Sequence, residues 1–273
     1  MPEDLSRLCI HSITTKPWSL ATALERYAAA GVGGISIWQD AAQTTGFRET
    51  RHLLDASPVE VVSYVRGGFF PHTSRADREK ALTDNRKMLD EAAEIGAPLL
   101  VLVCGAEPGQ SLGESRKQIQ AGIEQLIEHA SGNAVKLAIE PLHPMYADTR
   151  SAINTLGQAN TMAEAINHAA VGIAIDVYHL WWDDHLKAEI LRSGAKDNLY
   201  AFHICDWKVP TTDMLYDRGL MGEGCINVPL IRSWVEAAGF GGYNEVEIFS
   251  HTHWAKDQDQ FLREIVQAYR EKS

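Results

Sequence analysis

Val135-Lys136-Leu137-Ala138-Ile139-Glu140, Val171-Gly172-Ile173-Ala174-Ile175-Asp176, Leu199-Tyr200-Ala201-Phe202-His203 and Tyr243-Asn244-Glu245-Val246-Glu247 are four short apolar runs, each ending on a side chain of the kind that ligates metals. Asp and Glu are depleted in strands and costly to bury unpartnered, so a carboxylate closing a run of β-formers runs against propensity. One such residue reads as a strand-end turn or a satisfied polar group. Four at the same point of a repeat, supplying Glu140, Asp176, His203 and Glu247, converge on one site for a divalent cation.

The pattern extends upstream. Strand-like Leu8-Cys9-Ile10-His11, Gly34-Ile35-Ser36-Ile37-Trp38, residues 59–65 and residues 98–103 precede the four runs. Helical patterns separate them, over 45–55, 75–95 and 113–131, then near 156–168, 185–192, 228–238 and 257–271. Strands alternating with helices imply βαβ units and a parallel sheet. Eight units in 273 residues match the α/β class and a single (β/α)8 TIM barrel, typically ~250 residues long. No Pro/Gly/Ser linker or shift in composition divides the chain, so residues 1–273 read as one domain. A doubly wound open sheet would announce itself by a Gly-rich first turn, and none follows Leu8–Thr14. A barrel places all strand C-termini, and hence the four ligands, on one face.

The net charge of -11 disfavours a nucleic-acid partner, because an acidic surface repels phosphate backbones. Cys9, Cys104, Cys205 and Cys225 are widely spaced with no CxxC pair, which favours a reduced, cytoplasmic protein over a disulfide scaffold. Met1-Pro2-Glu3-Asp4 offers neither the basic nor the apolar region of a leader, and no apolar stretch approaches the ~20 residues of a membrane span.

Three carboxylates and one imidazole form an oxygen-rich donor set that suits Mn²⁺, Mg²⁺ or Co²⁺, with zinc also admissible. Glu245 and Glu247 share strand parity and face the same side; Glu247 is nearer the C-terminal end and is the expected ligand, leaving Glu245 one layer deeper or paired with a base. His179 lies three residues past Asp176, close enough to share its mouth. Arg218 is expected in a loop ahead of Gly222-Glu223-Gly224, whose glycines would let that loop fold over a ligand. Trp38, Trp181, Trp182 and Trp207 fall at or past strand ends, where they cover a sugar ring or serve packing. His11, Arg66 and His143 belong to the mouth by position, as substrate contacts or solvated loop residues. His251 and His253 read as rim residues.

With Ile139-Glu140-Pro141-Leu142, Asp176-Val177-Tyr178-His179, His203 with Arg218 and Gly222-Glu223-Gly224, and Val246-Glu247-Ile248-Phe249 in place, the chain resembles the xylose isomerase-like (AP endonuclease family 2) TIM barrels over nearly its whole length. The resemblance implies a metal-dependent isomerase or epimerase of a ketose, inosose or related non-phosphorylated sugar or cyclitol. It implies Glu140 and Glu247 as acid/base pair and His179 and Arg218 as substrate contacts, and a homodimer or homotetramer.

The chain departs from the ketohexose epimerase pattern at Glu140-Pro141-Leu142-His143-Pro144-Met145-Tyr146, where a second substrate-binding carboxylate is missing. The longer stretch from His203 to Arg218 implies a remodelled lid. An AP endonuclease would need histidines on the third and fourth strands, and Tyr64-Val65-Arg66-Gly67 and Val101-Leu102-Val103-Cys104 hold none. The runner-up is a dehydratase or lyase acting on an inosose or 3-keto-glycoside through the same site; a non-catalytic sugar-binding barrel is the remaining reading.

Overall fold

The computed structural model describes residues 4–273; the reading of Met1-Pro2-Glu3 lies outside them. The strands are β1 (Leu8–His11), β2 (Gly34–Trp38), β3 (Glu60–Gly68), β4 (Leu99–Val103), β5 (Lys136–Glu140), β6 (Val171–Asp176), β7 (Leu199–Ile204), β8 (Asp206–Trp207), β9 (Arg218–Gly219) and β10 (Asn244–Val246). All but β8 and β9 form a closed parallel barrel in the order β1-β10-β7-β6-β5-β4-β3-β2. This is the expected (β/α)8 barrel, with β10 as its eighth strand. β8 and β9 form an antiparallel pair inserted between β7 and β10, so the long stretch after His203 does carry extra structure.

Period-two alternation decides what each strand presents to the lumen. Leu137, Ile139, Ile173, Ile175, Phe202 and Ile204 belong to the large core between barrel and helices. Ala138, Ala174 and Ala201 belong instead to a small cluster with Val65, Leu99 and Val101. Two residues beyond each of these alanines, on the same face, come Glu140, Asp176 and His203. A small side chain below each ligand leaves the lumen room for polar groups above it.

Ordinary capping chemistry starts the outer helices. Ser19 accepts from Thr22 N at the head of Leu20–Ala30, and Ser74 from Asp77 N at the head of Arg75–Ile95; such caps satisfy orphan N–H groups. One expected helix gains a neighbour and another is broken. The helix expected over 45–55 forms as Phe47–Asp55, and an unexpected helix, Gln39–Thr45, precedes it across Gly46, whose φ of 88° only glycine adopts cheaply. The segment over 113–131 becomes Leu112–Glu124 and Ile127–Gly132, divided at Gln125-Leu126, where Leu126 turns fully into the core. β3 runs past the expected Val65 to Gly68, which makes Arg66 a strand residue. Among the described residues, no helix is long and apolar enough to cross a membrane.

Candidate metal centre

Register aligns the donors. Asp176 pairs with His203 across β6 and β7, and His203 with Glu245 across β7 and β10, so these three lie in one row. Glu247 follows one pleat higher. Glu140, Asp176, His203 and Glu247 each offer a ligand atom, and these atoms all lie within 4.8 Å of one another. The four side chains are buried.

Polar contacts explain how such a cluster is held. Burial opposes charging of His203, but Glu245, Glu140 and Glu247 outweigh it and raise its pKa to about 10. His203 Nδ1 lies 3.1 Å from Glu140 Oε1. Its Nε2 has no hydrogen-bond partner among the described residues and lies 3.8 Å from Glu245 Oε2. That Glu245 oxygen accepts from Ser36 Oγ at 2.6 Å and lies 3.1 Å from His11 Nε2. Burial favours protonating Glu245, yet His203, His11 and Ser36 hold its pKa below the usual range. Glu245 thus lies beside His11 and His203. Ser36 was missed in the sequence; its signal is one small hydroxyl between Ile35 and Ile37.

Arg218 enters this cluster directly. Its Nη1 donates to Asp176 Oδ2 and to Glu247 Oε2, both at 2.9 Å. Its guanidinium also lies over the Tyr178 ring at 4.4 Å. Against the expectation of an open loop, Arg218 belongs to β9 and is buried, because pairing with Trp207 ties it to the barrel mouth. Burial raises the Asp176 pKa to about 6 in spite of Arg218. For Glu247, burial is outweighed by His11 and Arg218, which hold it well below the carboxylate range.

The other expected site residues fall into two groups. His179 is buried, with Nε2 3.2 Å from Arg218 Nη2; burial and Arg218 push its pKa well down, so it is neutral. Nε2 then accepts from Arg218 and the ring proton sits on Nδ1, which has no partner among the described residues. Trp38 meets Phe249 edge-on at 5.0 Å, and its Nε1 lies 3.3 Å from His11 Nδ1. His143 lies 5.2 Å from the Trp207 ring and 5.6 Å from Trp182, and burial lowers its pKa. Arg66 lies over the Phe69 ring at 4.7 Å.

Two placements differ from the reading. His11 is fully buried between Glu245 and Glu247 instead of facing the mouth, because β1 closes the barrel against β10. His253 is buried instead of rimming the mouth, with Nε2 2.9 Å from Glu223 and its ring stacked on Phe261. His251 stacks on Tyr216 as an exposed rim residue.

The glycine loop also has a different task. Asp206 accepts from the N–H groups of Gly222 and Gly224 through Oδ2 and of Ile226 through Oδ1. A Cβ on Gly224 would lie 2.0 Å from the Trp207 carbonyl oxygen. These glycines let the loop wrap tightly around Asp206. Residues 208–217 cross the mouth beside it, where the Tyr146 and Tyr178 hydroxyls both donate to the Met214 carbonyl, at 2.8 and 2.9 Å.

The donor set fits a divalent cation. Glu140, Asp176, Glu245 and Glu247 are four buried carboxylates, balanced by one permanent cation, Arg218, and by protons drawn onto His203 and His11. A metal ion would take the place of the His203 proton, since ligands bind it deprotonated.

Comparison with known proteins gives the chain's family. Inosose isomerase of Halalkalibacterium halodurans is 22% identical over 79% of this chain and 76% of its own. A 3-dehydroshikimate dehydratase of Pseudomonas putida is 25% identical over 85% of this chain and 36% of its own. A solved protein of Sinorhizobium meliloti 1021 is 43% identical, covers 98% of each chain and superposes with a TM-score of 0.95. The family model described as xylose isomerase-like TIM barrel matches residues 24–270. With that span and the closed eight-stranded barrel, the chain belongs to the xylose isomerase-like TIM barrel family.

Proposed function

We propose that this protein is a divalent-metal-dependent isomerase or epimerase of a polyhydroxylated ketone, a ketose or inosose, acting through an enediolate. The observation that carries the proposal is that Glu140 and Glu247 share one buried donor set but have different partners. Glu140 meets His203; Glu247 lies between His11 and Arg218. Two carboxylates held differently suit opposite halves of a proton transfer.

In this reading, one carboxylate takes the proton from the carbon beside the ketone and the other returns a proton. Return to the opposite face of that carbon epimerises it; return to the neighbouring carbon isomerises aldose and ketose. Glu140, Asp176, His203 and Glu247 would hold the cation, Mn²⁺, Mg²⁺, Co²⁺ or zinc, which when bound supplies Lewis-acid stabilisation of the developing negative charge. Neutral His179 presents its Nδ1–H to a substrate oxygen, and Arg218 keeps Glu247 ionised. Trp38, His143 and Arg66 border the substrate. A reducing, cytoplasmic setting belongs to the proposal and is supported by four free cysteines, three of them buried.

If a β-hydroxyl leaves instead, the same site performs a dehydration. The similarity to a 3-dehydroshikimate dehydratase favours keeping this second reading.

The test is carbon-bound deuterium incorporation in D₂O, followed by NMR, with the Mn²⁺-loaded protein and a panel of ketoses, inososes and 3-keto-glycosides. Wild type exchanges; Glu140→Gln and Glu247→Gln lose exchange by about 10²–10⁴-fold, the usual contribution of a positioned acid or base. Exchange that survives both substitutions would sink the assignment.

A further inference from the structure

Arg66 is the charged residue at the mouth that the proposed chemistry leaves without a counter-ion. Its Nη1 is buried and has no hydrogen-bond partner among the described residues. One face of the guanidinium is covered by the Phe69 ring, 4.7 Å away, and Trp38 lies 5.9 Å away. Stacking on one face leaves the edge of a guanidinium, where its donors are, free to meet a planar partner. Phe69 itself holds φ at 55°, a backbone conformation that a bulky side chain rarely adopts, with its N–H donating to Val103 O at 2.9 Å.

A second arginine, Arg150, comes near through its stacking partner, since Tyr146 and Phe69 pack in one small apolar cluster. Gly105 N donates to Arg150 O at 2.8 Å, and Phe70 N donates to Cys104 O at 3.0 Å. The segments following β3, β4 and β5 are thereby laced together. The Arg150 guanidinium lies over the Tyr146 ring at 5.4 Å. Burial, and then repulsion from Arg150, lower the Arg66 pKa, with Glu140 and Glu247 opposing them. Two arginines that repel each other at a partly buried mouth need a reason. Glu140, Asp176 and Glu247 do not supply it, since a divalent cation and Arg218 would balance those three carboxylates.

We propose that Arg66 and Arg150 form a subsite for a carboxylate on the substrate, so that the preferred substrate is a polyhydroxylated keto acid. The inference rests on the proposed enolising site and narrows its substrate class. A buried guanidinium edge pairs with a carboxylate bidentately and by charge-assisted hydrogen bonds, which neutral hydroxyls do not match. It also accounts for positive charge at the mouth of a chain whose net charge is -11.

The experiment compares D-fructose, D-fructuronate and D-fructose 6-phosphate, which differ in the group at the terminal carbon. Exchange in D₂O and binding, read as quenching of tryptophan fluorescence in metal-loaded and metal-free protein, are measured for wild type, Arg66→Gln, Arg66→Lys and Arg150→Gln. The expected result is a preference of about tenfold or more for the uronate over the neutral ketose. That ratio falls below about threefold in Arg66→Gln and Arg150→Gln and is partly restored in Arg66→Lys. A preference for the phosphate over the uronate would replace the carboxylate by a phosphoryl group and overturn the proposal. Equal handling of neutral and acidic compounds by wild type would overturn it too, leaving Arg66 as a partner of the enediolate oxygen and the proposed reaction intact. If nothing exchanges, the binding ratio decides alone. An Arg66-dependent preference for the uronate then supports the subsite while the enolisation reading fails, and no preference overturns both.

Discussion

Glu245 and Glu247 are joined through one imidazole: His11 Nε2 lies 3.1 Å from Glu245 Oε2 and its Nδ1 3.0 Å from Glu247 Oε1. One carboxylate lies on the last barrel strand and the other one residue past its end, on the same face. One belongs to the candidate ligand set and the other supports it from below. Burial opposes charging of His11, but Glu247 and Glu245 together raise its pKa, so the ring bridges as a cation.

Glu245→Gln tests the support. Its carboxylate faces Ser36, His11 and His203, and a carboxylate that orients a metal-bound histidine is commonly worth 10–100-fold in metal affinity. The variant is expected to bind Mn²⁺ about 10–100-fold more weakly, measured by electron paramagnetic resonance titration. Unchanged affinity would reduce Glu245 to a filler of the barrel interior.

Arg218→Met separates protein charge from metal charge. Removing one partner of a buried ion pair costs about 3–5 kcal/mol, because the remaining charge is left uncompensated. Without metal, the variant is expected to lose about that much unfolding free energy in urea. Saturating Mn²⁺ is expected to restore more of it in the variant than it adds to wild type. Equal metal stabilisation in both proteins would show that Arg218 and the cation do not share the same carboxylates.

Tyr146→Phe with Tyr178→Phe loosens the segment over the mouth. Each hydroxyl donates to Met214 O, and a hydrogen bond contributes about 1 kcal/mol net. Amide exchange of residues 208–217 is expected to quicken by roughly tenfold in the double variant, with barrel strands unaffected. No change there would place the restraint elsewhere, for example in Asp217, which accepts from Thr212 and Lys208.

Glu223 supplies a pH dependence away from the metal centre. Burial opposes its ionisation, but hydrogen bonds from His253 and Leu220 N lower its pKa from 4.5 to about 2. A lowered carboxyl pKa adds stability above the unfolded value and loses it as pH falls through the folded one. The Glu223→Gln deficit is therefore expected in full above pH 5, shrinking from about pH 4.5 towards 2. Its size should be no more than about 1 kcal/mol, since the side chain is 39% exposed and screened by water. Urea unfolding at pH 7 and pH 4 checks the sign; a deficit that grows on acidification would contradict it.

Much of this was legible along the chain because strand parity is a local property. Ala138-Ile139-Glu140, Ala174-Ile175-Asp176 and Ala201-Phe202-His203 repeat one small-large-ligand pattern, so lumen and core faces follow from alternation alone. The last strand breaks it with Glu245-Val246-Glu247, and the carboxylate in the alanine's place is the one bound to His11. Helix breaks were less legible. Gln39–Thr45, set off from the next helix by Gly46, was not expected, and the break at Gln125-Leu126 carries no Gly or Pro to announce it. His253 looked like a rim residue because nothing nearby in sequence reveals Glu223 and Phe261 as its partners.

The sequence by itself determined eight parallel strands, the shared face of Glu245 and Glu247, and four metal-type side chains at one end. It did so because spacing and side-chain period are fixed by neighbours in the chain. Tertiary structure alone decided that His11 lies between two carboxylates 234 and more residues away, that Arg218 pairs with Asp176 and Glu247, and that Arg66 and Arg150 stack on Phe69 and Tyr146, which pack together. Those relations depend on barrel closure, on the β8–β9 insertion and on the desolvation of charges far apart in sequence, none of which local propensity encodes.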